Sequence, residues 1–176
     1  MLRKTLFVFC LIFACSLVVV AQDHAKAEVF GGYQWTSVDV GSGIDRQNFN
    51  GWDAALTGYF NKNFGITADF SGNYKSIEGV DVKAYTYLFG PTVRVPMQKA
   101  TPFVHALFGG AHLSADDLTG SESAFSYAIG GGVDVNAGKH VAIRIAQFDY
   151  LGTRFDGLGS DNQNNFRYSA GVVFKF

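Results

Sequence analysis

Four histidines, His24, His105, His112 and His140, are the residues in this chain best suited to acid–base chemistry. A hydrolytic site needs a nucleophile, a base and an acid that orients the base, all within hydrogen-bond reach. Only His112 has such company close in sequence, in Ser114, Asp116 and Asp117. That cluster lies in a stretch that reads as a loop, where Ser and Asp are ordinary. His105 falls on the inward phase of a strand, the usual place of a satisfied interior histidine. His24 lies near the start of the chain, and His140 begins a strand beside a turn. The sequence therefore nominates no catalytic residue, and the chain reads as not an enzyme.

Metal and phosphate chemistry are no better supplied. Asp116, Asp117 and Glu122 lack the glycine-centred, alternating-oxygen spacing of a calcium loop. The glycine runs Gly109-Gly110 and Gly130–Gly132 are not followed by a helix, so they are not phosphate loops. In a strand such glycines permit bends and leave room for a neighbouring aromatic ring. Neither a metal nor a cofactor is expected. Both cysteines, Cys10 and Cys15, fall in the first 21 residues. Residues 22–176 therefore offer no disulfide, thiolate ligand or thiol nucleophile.

The first 21 residues have a purpose of their own. Arg3 and Lys4 precede an apolar run, Leu6–Val20, broken only by Ser16, and Val19 and Ala21 stand three and one before Gln22. This is the layout of a secretory signal peptide, residues 1–21, cleaved after Ala21. Ala25-Lys26-Ala27 offers a later cut after Ala27. The apolar run is short for a membrane helix, which needs about 20 residues. A lipidation site at Cys15 is poorly flanked. Removing the leader leaves residues 22–176 as one domain and moves the formal charge from −1 to −3, with 12 basic against 15 acidic residues. A nucleic-acid partner would need a basic footprint that this chain lacks.

The elements that must position any remaining chemistry are strands. The final eleven residues alternate strictly: Phe166, Tyr168, Ala170, Val172, Phe174 and Phe176 against Arg167, Ser169, Gly171, Val173 and Lys175. Successive side chains of a strand point to opposite faces, so one face is aromatic and apolar and the other carries cations. Seven further stretches read as strands, near 27–35, 51–60, 64–74, 84–95, 102–111, 124–135 and 140–150; in 102–111 both faces are apolar, and Val104, Ala106 and Phe108 are assigned outward, Phe103, His105 and Leu107 inward. In the seventh, Gln147 and Asp149 fall out of phase, and a bulge near Ile145–Gln147 would return both to the polar side. The connections contain about 15, 3, 9, 6, 12, 4 and 15 residues, long and short in alternation. Trp35, Trp52, Tyr74, Tyr85, Tyr127 and Tyr150 gather at the long-loop ends of the strands. Phe60, Phe64, Phe174 and Phe176 gather at the short-turn ends.

An eight-stranded antiparallel up-and-down transmembrane β-barrel, all-β, accounts for these features together. Its outward face meets lipid between two aromatic belts. Glu28, Asp53, Asp69, Arg94, Asp134, Arg144 and Arg167 then share a narrow lumen, where they can pair. Eight strands enclose little more than their own side chains. Tyr59, Arg94, His105, Arg144 and Arg167 would plug the interior, which excludes a wide diffusion porin.

The signal peptide, eight alternating strands and terminal Phe176 resemble the small eight-stranded bacterial outer-membrane barrels, the OmpA/OmpX-like family. The segments GPTVRV (90–95), PFVHALFGGA (102–111) and AIGGGVDV (128–135) are similar to segments of such barrel domains. The resemblance implies a bacterial outer-membrane location and a monomer embedded in membrane lipid. It also implies recognition by the barrel-assembly machinery through the strand ending at Phe176. It suggests an envelope role, or contact with an extracellular ligand through the four loops. No periplasmic domain follows the barrel, so a peptidoglycan tether is not expected. A lipid-modifying barrel enzyme and a soluble lipocalin-like carrier are the alternatives.

Overall fold

The computed structural model describes residues 25–38, 47–77, 80–115, 122–154 and 163–176. They form β1 (Ala27–Val38), β2 (Gln47–Tyr59), β3 (Phe64–Ile77), β4 (Val80–Arg94), β5 (Ala100–Ala115), β6 (Glu122–Asn136), β7 (Val141–Arg154) and β8 (Gln163–Lys175). Each strand pairs antiparallel with the next, and β8 pairs with β1, so the sheet closes into a barrel. The closing seam runs from Glu28↔Lys175 to Ser37↔Phe166. Beyond it, the Lys26 amide donates to the Phe176 carbonyl at 2.7 Å, and the Phe176 amide donates to the Ala27 carbonyl at 2.9 Å. The expected signal peptide, His24, Asp116 and Asp117 lie outside the described residues.

The barrel is polar inside and apolar outside. Outward positions include Phe148, 61% exposed, and Val104, 60% exposed, together with Leu56, Ile66, Phe70, Phe89, Ile129 and Phe174. Apolar surface on this scale costs a water-soluble monomer too much to leave bare. Buried inward positions include Arg167 and Asp149, each 1% exposed, with Asp53, Asp69, Asp134, Gln34 and Gln147. The inward and outward phases read from the sequence hold in all eight strands.

The bulge expected in β7 is present. Register shifts between Arg144 and Gln147 on the β8 side, and Val133↔Ala146 is followed by Asp134↔Arg144 on the β6 side. The extra residue returns Gln147 and Asp149 to the lumen, 1% exposed each, and sends Phe148 to the outer face.

Two sequence-based expectations need correction. The strands run further on the loop side than the alternation suggests, to Val38↔Gln47, Ile77↔Val80, Leu113↔Glu122 and Thr153↔Gln163. Only residues 78–79 separate β3 from β4, so long and short connections do not alternate strictly. The cause is that hydrophobic alternation marks only the lipid-facing band, about 9–11 residues tall. Backbone pairing continues past that band without apolar side chains, and the strands reach 12 to 16 residues. For the same reason His112 and Ser114 belong to β5, opposite Tyr85 and Lys83, and not to a loop.

Space for the interior is made by glycine. A Cβ on Gly130 would collide with the Asp149 carboxylate and with the Phe148 carbonyl. Gly130 faces Asp149 in the register, so its missing side chain is what admits that carboxylate. On the outer face a Cβ on Gly72 would lie 2.7 Å from the Trp52 indole nitrogen, so this glycine seats a belt ring.

Candidate functional site in the barrel lumen

The lumen is layered along the barrel axis. At the short-turn end, Arg94 at the end of β4 closes the mouth. Its guanidinium donates to the Glu28 carboxylate, to the Ala25 carbonyl at 2.7 Å and to the Lys62 carbonyl at 3.0 Å. It also stacks 3.4 Å over the Tyr59 ring, and the Tyr59 hydroxyl donates to Glu28 at 2.9 Å. One cation thus joins β1, β2, β4 and the β2–β3 turn.

The middle layer is a continuous chain of charged and amide groups. Arg167 on β8 reaches across to β3 and grips both Asp69 oxygens, at 2.8 and 3.2 Å. Its Nε donates to Asp149 at 2.8 Å. The other Asp149 oxygen lies 2.7 Å from His105 Nε2, and Gln147 donates to Asp149 at 2.7 Å. Arg144 donates to Gln147 at 2.7 Å and holds Asp134 through two bonds, at 2.8 and 3.1 Å. The Arg144 guanidinium also sits between the Phe30 and Phe103 rings, at 4.3 and 4.2 Å. Beside this chain, Ser169 donates to Asp53 at 2.7 Å, and the hydroxyls of Thr57, Thr67 and Thr92 form a ladder at 2.8 and 2.6 Å.

A charge in this low-dielectric interior is tolerated only when it is paired and hydrogen-bonded. Of the seven charged residues expected in the lumen, six form ion pairs: Glu28–Arg94, Asp134–Arg144 and Asp69–Arg167. Asp53 instead bonds to Ser169, and its Oδ1 has no hydrogen-bond partner among the described residues. A void beside Thr57, Asp69, His105 and Arg144 measures about 10 Å³. That is space for about one water at most. The layer is a wall between the two ends of the barrel.

Above this wall, Leu88, Leu107, Ala128 and Leu151 pack into a buried apolar cluster. Over it, at the loop end, opens a cavity of about 110 Å³ lined by residues of seven strands, among them Thr36, Phe49, Asn73, Ala84, Ala111 and Leu151. His112 lines it as well. At the same height on the outer face, the Trp52 indole donates to the Tyr74 hydroxyl at 3.1 Å, which lies 3.5 Å from that of Tyr85. Tyr127, Tyr150 and Phe166 continue this belt with ring centroids 6.1 to 6.3 Å apart.

His105 is a lumen residue paired with Asp149, as its inward phase suggests. His112 is brought to the cavity, while Glu122 begins β6 on the neighbouring strand. The sequence reading missed the hub role of Asp149. Its signal was present: Asp149 and Arg167 are direct partners in the β7–β8 hairpin.

The family described as outer membrane protein β-barrel domain matches residues 7–176. No curated relative matches the sequence. Among solved structures, the fold is similar to Neisserial surface protein A at 15% identity and a TM-score of 0.71, covering 86% of this chain and 98% of that one. It is also similar to the attachment invasion locus protein Ail of Yersinia pestis, at 20% identity and a TM-score of 0.60, covering 87% and 99%. The N-terminal barrel domain of Pseudomonas aeruginosa OprF matches at 11% identity and a TM-score of 0.57, covering 87% and 99%.

Proposed function

Because the chain belongs to the outer membrane protein β-barrel family and resides in the bacterial outer membrane, we propose that it is a closed, monomeric scaffold that presents its loop-side connections to a partner outside the cell. The observation that carries this reading is the plugged lumen. Arg167, Asp69, Asp149, His105, Gln147, Arg144 and Asp134 are joined in one chain across the interior. A barrel so filled supports function at its ends rather than through its centre.

The connections suggest the chemistry of that partner. Residues 39–46, 78–79, 116–121 and 155–162 contain Asp39, Asp45, Glu78, Asp116, Asp117, Asp156 and Asp161 against one cation, Arg46. Ail of Yersinia pestis has been solved with the heparin analogue sucrose octasulfate. A polyanion of that kind would be repelled by these connections, so a cationic surface is the better match. Cells displaying the protein are expected to bind polylysine-coated beads in preference to heparin-coated ones. Replacing residues 39–46, 116–121 and 155–162 by Asn-Gly turns should abolish that binding while keeping the boiling-dependent gel shift of a folded barrel. Undiminished binding by the shortened protein would defeat the loop reading. A steady, porin-sized conductance in planar bilayers would defeat the closed scaffold.

The leader is cut after Ala21 in this proposal. The Ala25 carbonyl accepts from Arg94, and the Lys26 and Ala27 amides both donate to Phe176. A cut after Ala27 would discard all three anchors. The intact mass of the protein purified from outer membranes should correspond to a chain beginning at Gln22. A mass for a chain beginning at Glu28 would rule this out.

A further inference from the structure

The cavity at the loop end is separate from the charged wall, and its lining among the described residues has a definite chemical character. Among the described residues it is lined by Val38, Phe49, Ala84, Ala111 and Leu151 together with Thr and Asn residues and His112, and by no carboxylate, ammonium or guanidinium. Much of its polar lining is already engaged by the barrel wall. Asn73 accepts from Gln34 at 2.8 Å and from Thr36 at 3.4 Å. The Thr86 hydroxyl pairs with Ser71 at 2.5 Å, and that of Thr153 with Ser126 at 3.4 Å. Hydroxyls and amides engaged in this way attract water weakly, and a cavity with apolar walls favours an apolar guest.

The floor is closed. Leu88, Leu107 and Ala128 are fully buried beneath the cavity, and Leu151 belongs both to its lining and to that cluster. Below them, the Arg167 guanidinium is held by Asp69 and Asp149. Among the described residues, an anionic guest would find no uncommitted cation there, and a cationic one no carboxylate in the lining.

We propose that this loop-side cup is a binding site for a small, neutral, mainly apolar molecule, aromatic or short-chain aliphatic, with at most one polar group. At about 110 Å³ it is somewhat smaller than a cavity known to accept benzene. A guest of on the order of six heavy atoms fits that volume. Because the floor is closed, the guest is held at the outer end of the barrel and not passed through it.

The test uses the full mature barrel in lipid nanodiscs, with phenol as the probe, followed by amide NMR shifts. Saturable shifts are expected at Thr36, Ala84, Ala111 and Thr153. Filling the cup by Ala84→Leu or Ala111→Phe should weaken binding at least tenfold, while Ala106→Phe on the lipid face should leave it unchanged. Shifts that rise linearly without saturation, or that survive in both filled variants, would mean partition into lipid and overturn the proposal. Should the filled variants fail to show the boiling-dependent gel shift, xenon-pressurised crystals of the unaltered protein give a second reading. Density above Leu151 supports the cup, and its absence overturns it.

Discussion

Arg167→Met is expected to lower the folding stability of this barrel by about 3–5 kcal/mol. The guanidinium grips both oxygens of Asp69 and also donates to Asp149, and all three side chains are almost completely buried. Methionine fills similar volume but leaves two carboxylates in the lumen without their cation. Breaking a buried pair by removing one partner costs about 3–5 kcal/mol. A domain of this size has a total stability of about 5–15 kcal/mol. The check is the urea midpoint for unfolding from lipid vesicles, read by tryptophan fluorescence and by the boiling-dependent gel shift. Asp69→Asn added to Arg167→Met should recover part of the loss, because it removes the orphaned charge instead of the bond. With Asp69→Asn also measured alone, the cycle gives the coupling of the pair. A loss under about 1 kcal/mol, the range of a surface ion pair, would mean that the lumen is wet at this level.

Arg94→Met should cost a similar amount, about 3–5 kcal/mol, for the same reason: Glu28 would stay buried without its cation. Its consequence for permeability should be slight. The substitution loosens the short-turn mouth by releasing Glu28, the Ala25 and Lys62 carbonyls and the Tyr59 ring. The wall of Arg144, Asp149 and Arg167 shares none of these partners and stays intact. Single-channel recording in planar bilayers should therefore show no steady open state despite the loss of stability. A sustained conductance would show that the mouth, and not the middle layer, is the barrier. With no partner in common, the two substitutions should also act additively.

How much of this was legible in the sequence depends on the range of the interaction. The faces of every strand could be read, because alternation is local and lipid selects one phase. The β7 bulge could be read from Gln147 and Asp149 standing on the wrong side of that phase. Asp134 and Arg144 are register partners across a four-residue turn, so their pairing is implied once the hairpin is aligned. Strand ends were harder to find, since pairing beyond the lipid band leaves no hydrophobic signature. This is why His112 and Ser114 read as loop residues. Which of the lumen charges pair across the interior was not legible. Glu28–Arg94 joins β1 to β4, and Asp69–Arg167 joins residues 98 apart in sequence. Such contacts depend on barrel closure, which no local pattern encodes. The cup escaped notice for the same reason, being assembled from seven strands.

The position of Arg167 on β8 ties the closing of the barrel to the neutralising of its interior. Asp69 on β3 and Asp149 on β7 are both neutralised by a cation on β8, the strand that pairs with β1 to close the barrel. Until β8 docks, no assembly of the earlier strands contains that guanidinium. Buried carboxylates without it would be costly, so an unfinished barrel must keep its interior hydrated. Drying of the interior and sealing of the seam are then one event, and the half-built sheet stays soft until its last strand makes it rigid.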